Sequence, residues 1–443
     1  MKLFFSVGEP SGDLHGANLI RAIKEKNPQA KCVGFGGPKM AAAGCELHEN
    51  LTQYAVMWLW HAIKYYFRFK KFATEARAYF EKEKPNAVIL IDFPGFNWHI
   101  AKHAKACGIP VYYYGVPQIW AWAGWRIHKM RRCVDHALCK LPFEEKWYRA
   151  KGCHAVYVGH PYFDELVGRE LDPRFLSEFR QKYLFSGPEK VEGRGRRLIT
   201  ILPGSRNQEV KSNLATFLKA ASLVQKKRPE TVFAVAAYNV HQAQIAKELI
   251  EEKKVNVDVF TKKTAELIEL ADCTMACSGS VSLELLYHQK PSVILYQVSR
   301  FGFWIQRIMR KVQYITLVNL LASKNPLPGK LLPYDPDQYW QKKRGDPTYR
   351  PEVPFPEYLT AQEKSHSIAQ FLLHWQNDRA VHNEIKEQLG QLKSKFGAAG
   401  ASVRAAEYIV ATLEAEKGNT SNSKANRGGT AAGVSQKQFP KSA

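Results

Sequence analysis

Lys2-Leu3-Phe4-Phe5-Ser6-Val7 runs directly into Gly8-Glu9-Pro10-Ser11-Gly12-Asp13. The first six residues read as a short apolar strand, and a helix pattern follows from Leu14 to Ile23. The phrase returns as Leu198-Ile199-Thr200-Ile201-Leu202, then Pro203-Gly204-Ser205-Arg206, then a helix pattern from about Glu209 to Gln225. Each copy is strand, glycine loop, helix. Each sets backbone N–H groups and a helix N-terminus beside a loop of little bulk, which suits an anion or a sugar. Two such openings imply two α/β domains that face one another with a site between them.

The alternation extends outward from both copies. Strand patterns occupy 2–7, 31–35, 87–91, 110–114, 136–139 and 155–158, with helix patterns between them. They recur near 198–202, 232–236, 256–260, 273–276 and 292–296. Short apolar strands separated by helices read as a parallel sheet covered on both faces. Gly187, Pro188, Gly193 and Gly195 lie among charges and mark a linker. The expected division is 1–185, a linker at 186–197, a second Rossmann-like domain at 198–360, C-terminal helices at 361–416 and a disordered tail at 417–443. Residues 323–357 carry many prolines and read as an ordered surface insertion.

The chain of 443 residues is comfortable for two domains, and 45% of its residues are hydrophobic. No apolar run reaches the length of a membrane span, and the N-terminus lacks a signal-peptide pattern, so a cytosolic or peripheral protein is expected. The eight cysteines form no CxxC pair and read as buried free thiols. The net charge of +23 points to an anionic partner: nucleic acid, a membrane surface or a phosphorylated substrate. No zinc-finger or RNP-like run supports nucleic acid.

Several strings carry chemistry. Ser278-Gly279-Ser280-Val281-Ser282-Leu283-Glu284 follows a strand and opens a helix. Its N–H groups and hydroxyls can hold a diphosphate, and Glu284 can accept hydrogen bonds from ribose hydroxyls; otherwise it is a capped helix with a solvated Glu. Arg206 ends its loop with a guanidinium suited to bidentate phosphate contact, or is a surface Arg. No HExxH motif appears and no metal cluster is read from the sequence, so a cation and a helix N-terminus are expected to neutralise a leaving diphosphate in place of a metal. Asp92 ends an apolar strand and is a candidate general base or hydroxyl ligand, or a turn residue. Pro117-Gln118-Ile119-Trp120-Ala121-Trp122 suggests a rigid sugar wall, and His160, held before Pro161, a hydrogen-bond donor; core packing is the alternative for both. Two segments interleave aromatic and basic residues: Trp58 to Phe72, with Trp60, Tyr65, Phe67 and Arg68, and Arg300 to Lys311, with Phe303, Trp304 and Arg307. Both suit a lipid interface with anionic head groups, unless they are amphipathic helices packed on a sheet.

Together these strings resemble the lipid-A-disaccharide synthases. The resemblance rests on Gly8 to Ala17, Ile91 to Asn97, Gln118 to Trp122, Leu141-Pro142-Phe143-Glu144, Val158-Gly159-His160-Pro161, Leu202 to Arg206, Ser278 to Glu284 and Asn319-Leu320-Leu321-Ala322, in family order. It implies the GT-B arrangement of two Rossmann-like domains. It implies an inverting, metal-independent glycosyltransferase that joins UDP-2,3-diacylglucosamine to 2,3-diacylglucosamine 1-phosphate, giving a β-1,6 disaccharide 1-phosphate and UDP. It places the enzyme on the cytoplasmic face of a Gram-negative-type inner membrane and leaves a homodimer open. Asp92 would be the base. Arg206 and the 278–282 loop would hold the diphosphate, Glu284 the ribose, and Asn319 would support the donor site. Ser11, Asp13, His15, Gln118 and His160 would line the acceptor side.

Three departures stand out. Some relatives carry a second acid, favoured as the base, where this chain has Gly95. Ala123-Gly124-Trp125 separates the Trp-Ala-Trp string from Arg126, which follows directly in relatives. Pro356-Glu357-Tyr358-Leu359 supplies the family's Pro-Glu pair late, implying an insertion at about 325–356 with Glu357 as the matching acid. Other readings are a related UDP-N-acetylglucosamine epimerase, a peptidoglycan glycosyltransferase, or a sugar-nucleotide or lipid-binding relative without catalysis.

Overall fold

Strands that are apolar at every position must be covered on both faces. Ala87–Ile91 is such a strand, and Leu198–Leu202 is one apart from Thr200, whose hydroxyl donates to the Leu267 carbonyl; every residue in both is buried. Each fully buried Val, Leu, Ile or Phe contributes about 1.5–3 kcal/mol, so these pentads anchor the two halves of the chain. A computed structural model describes residues 1–57, 62–185, 196–332, 334–346 and 348–427, apart from the side chains of 55–57, 62–66 and 417–427.

Strands β1 (Lys2–Val7), β2 (Lys31–Gly36), β3 (Cys45–Asn50), β4 (Ala87–Ile91), β5 (Val111–Tyr114), β6 (His136–Cys139) and β7 (Ala155–Tyr157) form one sheet, in the order β3-β2-β1-β4-β5-β6-β7. Strands β8 (Leu198–Leu202), β9 (Val232–Ala237), β10 (Asp258–Thr261), β11 (Cys273–Cys277), β12 (Ser292–Gln297) and β13 (Glu357–Thr360) form a second, in the order β10-β9-β8-β11-β12-β13. Neighbours are parallel throughout, with Val7 opposite Ile91 in the first sheet and Leu202 opposite Ala276 in the second. Each sheet winds outward, returns, and winds the other way. The reversal opens a crevice beyond β1 and β4 in one sheet and beyond β8 and β11 in the other. These are two Rossmann-like domains.

Two strands differ from expectation. β3 and β13 are edge strands, and neither shows an apolar run in sequence. The proline-rich insertion is not confined to the surface: Val353 and Phe355 are buried and lead into β13. The expected linker at 186–197 falls outside the described residues except for Arg196 and Arg197.

The last helix, Ala401–Arg427, crosses back to the first sheet. Asp164 accepts from the N–H groups of Gly400, Ala401 and Ser402, fixing its start. Tyr112 and Tyr114 reach it from β5 through Thr412 and Ser402. The disordered tail was expected to begin at 417, but the helix runs to Arg427, because extending an anchored helix needs no new nucleus. Residues 428–443 lie outside the description. All eight cysteines are free thiols.

Candidate active site

At the first crevice the chain leaves β4 through two left-handed residues, Asp92 (φ 47°) and Phe93 (φ 43°). Such a conformation costs about 1–3 kcal/mol at a non-glycine residue. Asn97 offsets it: its Nδ2 donates to the carbonyls of Ser6, Ile91 and Asp92, at 2.8 Å to the last. Ser6 Oγ fixes the Asn97 amide, and the Tyr113 hydroxyl also donates to the Asp92 carbonyl at 2.7 Å. The turn lays the Asp92 carboxylate over the first turn of the Pro10–Lys26 helix. A Cβ at Gly12 would lie 3.4 Å from Asp92 Oδ2, so the helix N-terminus faces the carboxylate closely.

Lys140 stands one residue past β6 and is largely buried, its side chain 14% exposed, with Nζ 3.5 Å from Asp92 Oδ1. Burial alone would lower its pKa, but Asp92, Glu144 and Glu9 together hold it above the ordinary lysine value. Burial and the neighbouring Asp92 push the Glu9 carboxyl up, against the pull of Lys140 and of Arg206 from the opposite sheet. Two imidazoles complete the cluster. Burial lowers the pKa of His15, and its Nδ1 has no partner among the described residues. Burial, then Lys140 and His15, hold His160 well below the ordinary histidine value, and its Nδ1 faces the Tyr162 N–H at 3.2 Å. Both imidazoles are therefore neutral near pH 7.

At the second crevice, Glu209 accepts from the N–H groups of Ser205 and Arg206 and orders the loop after β8. The Arg206 side chain is 78% exposed, with Nη1 3.0 Å from Glu209 Oε1. Beyond β11, Gly279 and Ser280 are exposed at the start of the Val281–Tyr287 helix. Ser278 Oγ donates to the Ile315 carbonyl, and Ser282 Oγ to the Gly279 carbonyl. The hydroxyls brace the loop, while the Ser282 and Leu283 N–H groups are taken by the Gly279 and Ser280 carbonyls.

Three expected contact residues have other partners. Asp13 accepts from the N–H groups of Gly37, Lys39 and Met40, so it holds the turn after β2 instead of presenting a free carboxylate to a sugar. Glu284 is buried and receives Arg169 Nη1 at 2.5 Å and the Tyr162 hydroxyl at 2.8 Å. Asn319 is clamped through Phe355, whose N–H and C=O it pairs, and donates to Glu357 Oε2 at 2.9 Å. Glu357 also accepts from the Ile315 and Thr316 N–H groups and Thr316 Oγ1.

A cavity of about 450 Å³ spans the cleft. Gln118, Trp120 and Trp122 line it from the first domain, with Arg206, Ser278 and Arg310 from the second. Trp120 is fixed by its Nε1 on Glu144 at 3.0 Å, and Tyr148 holds the Pro117 carbonyl. Glu144 takes the N–H groups of Lys140 and Leu141 on its other oxygen, which ties the tryptophan wall to the Lys140 turn. Arg126, displaced along the chain, still lies 5.0 Å over the Trp122 ring. The Lys311 N–H bonds the Ala121 carbonyl across the cleft.

The Arg300–Met309 helix has no buried residue. Phe301, Trp304 and Ile308 are exposed, Phe303 is half-buried, and Arg307 is exposed. In the other aromatic-basic segment, Trp58 and Trp60 and the Tyr65 side chain lie outside the described residues. Phe67 is exposed, and Arg68 lies 4.8 Å over the Tyr54 ring.

Asp92, His15, His160 and, across the cleft, Arg206 thus converge with Glu9 and Lys140. Lys140 and the Arg169–Tyr162 pair on Glu284 were missed in sequence. Lys140's position just before Leu141-Pro142-Phe143-Glu144, at a strand end, was its only signal.

The lipid-A-disaccharide synthetase family model matches residues 3–333. A lipid-A-disaccharide synthase of Myxococcus xanthus (strain DK1622) is 30% identical over 415 residues, 93% of this chain and 97% of that protein. One of Coxiella burnetii (strain Dugway 5J108-111) is 34% identical over 329 residues, 74% of this chain and 83% of that protein. Among solved structures, a putative UDP-N-acetylglucosamine 2-epimerase from Listeria monocytogenes superposes with a TM-score of 0.59 at 11% identity, covering 93% of this chain and 96% of that one.

Proposed function

This chain belongs to the lipid-A-disaccharide synthetase family and is a GT-B glycosyltransferase of lipid A disaccharide synthesis, and from that premise we propose how its cleft works. The donor is UDP-2,3-diacylglucosamine and the acceptor 2,3-diacylglucosamine 1-phosphate. Asp92 takes the proton of the acceptor 6-hydroxyl as that oxygen attacks the anomeric carbon. The bond to the diphosphate oxygen breaks on the opposite face, which inverts the centre and releases UDP. Arg206 and the 278–282 loop neutralise the leaving diphosphate, so no metal is needed. Ser11, Gln118, His15 and His160 border the acceptor. Glu284 meets the ribose from its shared position with Arg169, and Asn319 braces the donor wall through Glu357.

The observation that carries this reading is the Asp92 carboxylate, held in a left-handed turn beside Lys140 and next to Glu9, which in turn feels Arg206 from the opposite sheet. The likeness to the epimerase, at 11% identity, extends to the fold alone and favours no second reading. No helix among the described residues is long and apolar enough to cross a membrane. We place the enzyme on the cytoplasmic face of the inner membrane as a peripheral protein, with the exposed Phe301, Trp304 and Ile308 face against lipid.

The test is incubation with both acylated sugars, reading UDP and the disaccharide phosphate. Asp92→Asn should lower kcat by about 10²–10⁴-fold, the usual contribution of a general base, with little change in UDP affinity. Full turnover in Asp92→Ala would remove Asp92 as the base.

A further inference from the structure

Arg310 follows the last turn of the exposed Arg300–Met309 helix and turns inward. It lines the same cavity as Arg206 and Ser278. Its Nε is shut off from solvent and has no hydrogen-bond partner among the described residues. Its neighbours explain why. Glu357 is the carboxylate it feels, but that carboxylate already accepts four hydrogen bonds, from Ile315, Thr316 (two) and Asn319. Burial lowers the pKa of Arg310 from the ordinary guanidinium value, with Glu357 opposing.

A guanidinium kept only for packing normally ends on carbonyls or a carboxylate, because an unpaired buried charge is strongly unfavourable. Arg310 ends in a cavity instead. Arg206, the cation expected from sequence, sits on the rim, largely in water and already paired with Glu209. Water screens a rim cation, whereas a cation inside the cavity meets an anion at low effective dielectric. The segment is also fixed in place. The Lys311 N–H holds Ala121 of the opposite wall, and Ser278 Oγ holds Ile315. Arg310 is thus tied by short backbone links to both the tryptophan wall and the diphosphate loop.

We propose that Arg310 is a second, half-buried anion-binding residue of the cleft, whose guanidinium contacts the diphosphate of the nucleotide-sugar donor as charge develops on departing UDP. The assignment rests on the UDP-sugar reading above. Arg206 then draws the diphosphate to the rim, and Arg310 pairs with it inside.

The test is calorimetric titration of the full chain with UDP, uridine and inorganic pyrophosphate, for the wild type, Arg310→Met and Arg310→Lys, with thermal melting of each without ligand. Arg310→Met should weaken UDP and pyrophosphate about tenfold or more and leave uridine unchanged. Arg310→Lys should fall between, since a point charge replaces a planar fork. Without ligand, Arg310→Met should melt no lower than wild type, because it removes a half-buried guanidinium whose Nε has no partner among the described residues. A packing role would instead lower the melting temperature and weaken UDP and uridine alike, and that pattern overturns the proposal, as does unchanged UDP affinity. If wild type binds pyrophosphate through Arg310 but shows no preference for UDP, the anion site stands and the nucleotide-sugar reading falls.

Discussion

Lys140 Nζ lies 3.5 Å from Asp92 Oδ1, although β5 separates the strands that carry them. The lysine crosses that strand's end at Gly115, which has φ +70°; a Cβ there would lie 3.3 Å from Lys140 Cδ. Three consecutive strand ends thus cooperate: β4 presents the carboxylate, β5 leaves room, and β6 sends the cation across. The same ammonium pulls down the Glu9 carboxyl, which burial and Asp92 push up.

Lys140→Met removes that restraint. Glu9 then rises further and holds its proton to higher pH. The acid limb of the kcat/KM profile should therefore move to higher pH, while UDP affinity at alkaline pH stays close to wild type. An acid limb that does not move would dissociate Lys140 from the carboxylates. Gly115→Ala should act in the same direction by obstructing the crossing.

Glu357 gives a pH dependence of stability. Burial raises its pKa to about 7, against the pull of the Ile315, Thr316 and Asn319 donors. The folded state therefore binds a proton more tightly than the unfolded chain, whose carboxyl titrates near 4.5. The resulting stability is full below pH 4.5 and is lost as pH rises through about 7, an effect of a few kcal/mol. Melting temperature between pH 5 and 8 should fall more steeply in wild type than in Glu357→Gln. Parallel curves would show that Glu357 does not titrate in this range.

That carboxylate also shows where the sequence was legible. β1, β4, β8 and β11 read directly, as apolar runs that end in glycine or serine loops, and residues at those ends, Asp92, Arg206 and Ser278, were found for the same reason. β3, Cys-Glu-Leu-His-Glu-Asn, did not read as a strand because an edge strand can keep polar side chains, and β13 was masked by its prolines. Lys140 is one of 64 basic residues and carries no local pattern; its burial depends on β5 and Gly115, which are distant in sequence. Asp13 reads as a sugar ligand beside Gly12, yet the turn that takes its oxygens lies at 37–40.

The exposed face of the Arg300–Met309 helix tests the membrane reading. Phe301, Trp304 and Ile308 recur at spacings of three and four and are 70%, 59% and 55% exposed, so replacing them removes little packing. Trp304→Asp with Ile308→Asp should weaken sedimentation with anionic phospholipid vesicles more than tenfold, and leave UDP affinity unchanged. Arg300 and Arg307 would add an attraction that fades with salt. Equal vesicle binding by the double variant would move the lipid contact elsewhere.

Arg169 and Glu284 test a different part of the cleft. Glu284 is 4% exposed as a side chain and starts deep in the helix after β11, whereas Arg169 and Tyr162 follow β7 of the other sheet. The pair therefore straps the two domains at the floor of the cleft. Removing one partner strands a charge, so Arg169→Met should destabilise by about 3–5 kcal/mol in urea unfolding. Replacing both, as Arg169→Met with Glu284→Leu, should recover much of that loss, because no unpaired carboxylate remains. The functional consequence separates strap from ribose site. If Glu284 serves only the strap, the double variant keeps the UDP affinity of Arg169→Met. If it also receives the ribose hydroxyls, the double variant binds UDP more weakly than Arg169→Met while its stability rises. Opposite movements of stability and affinity can arise only if the buried carboxylate has a second partner in the donor.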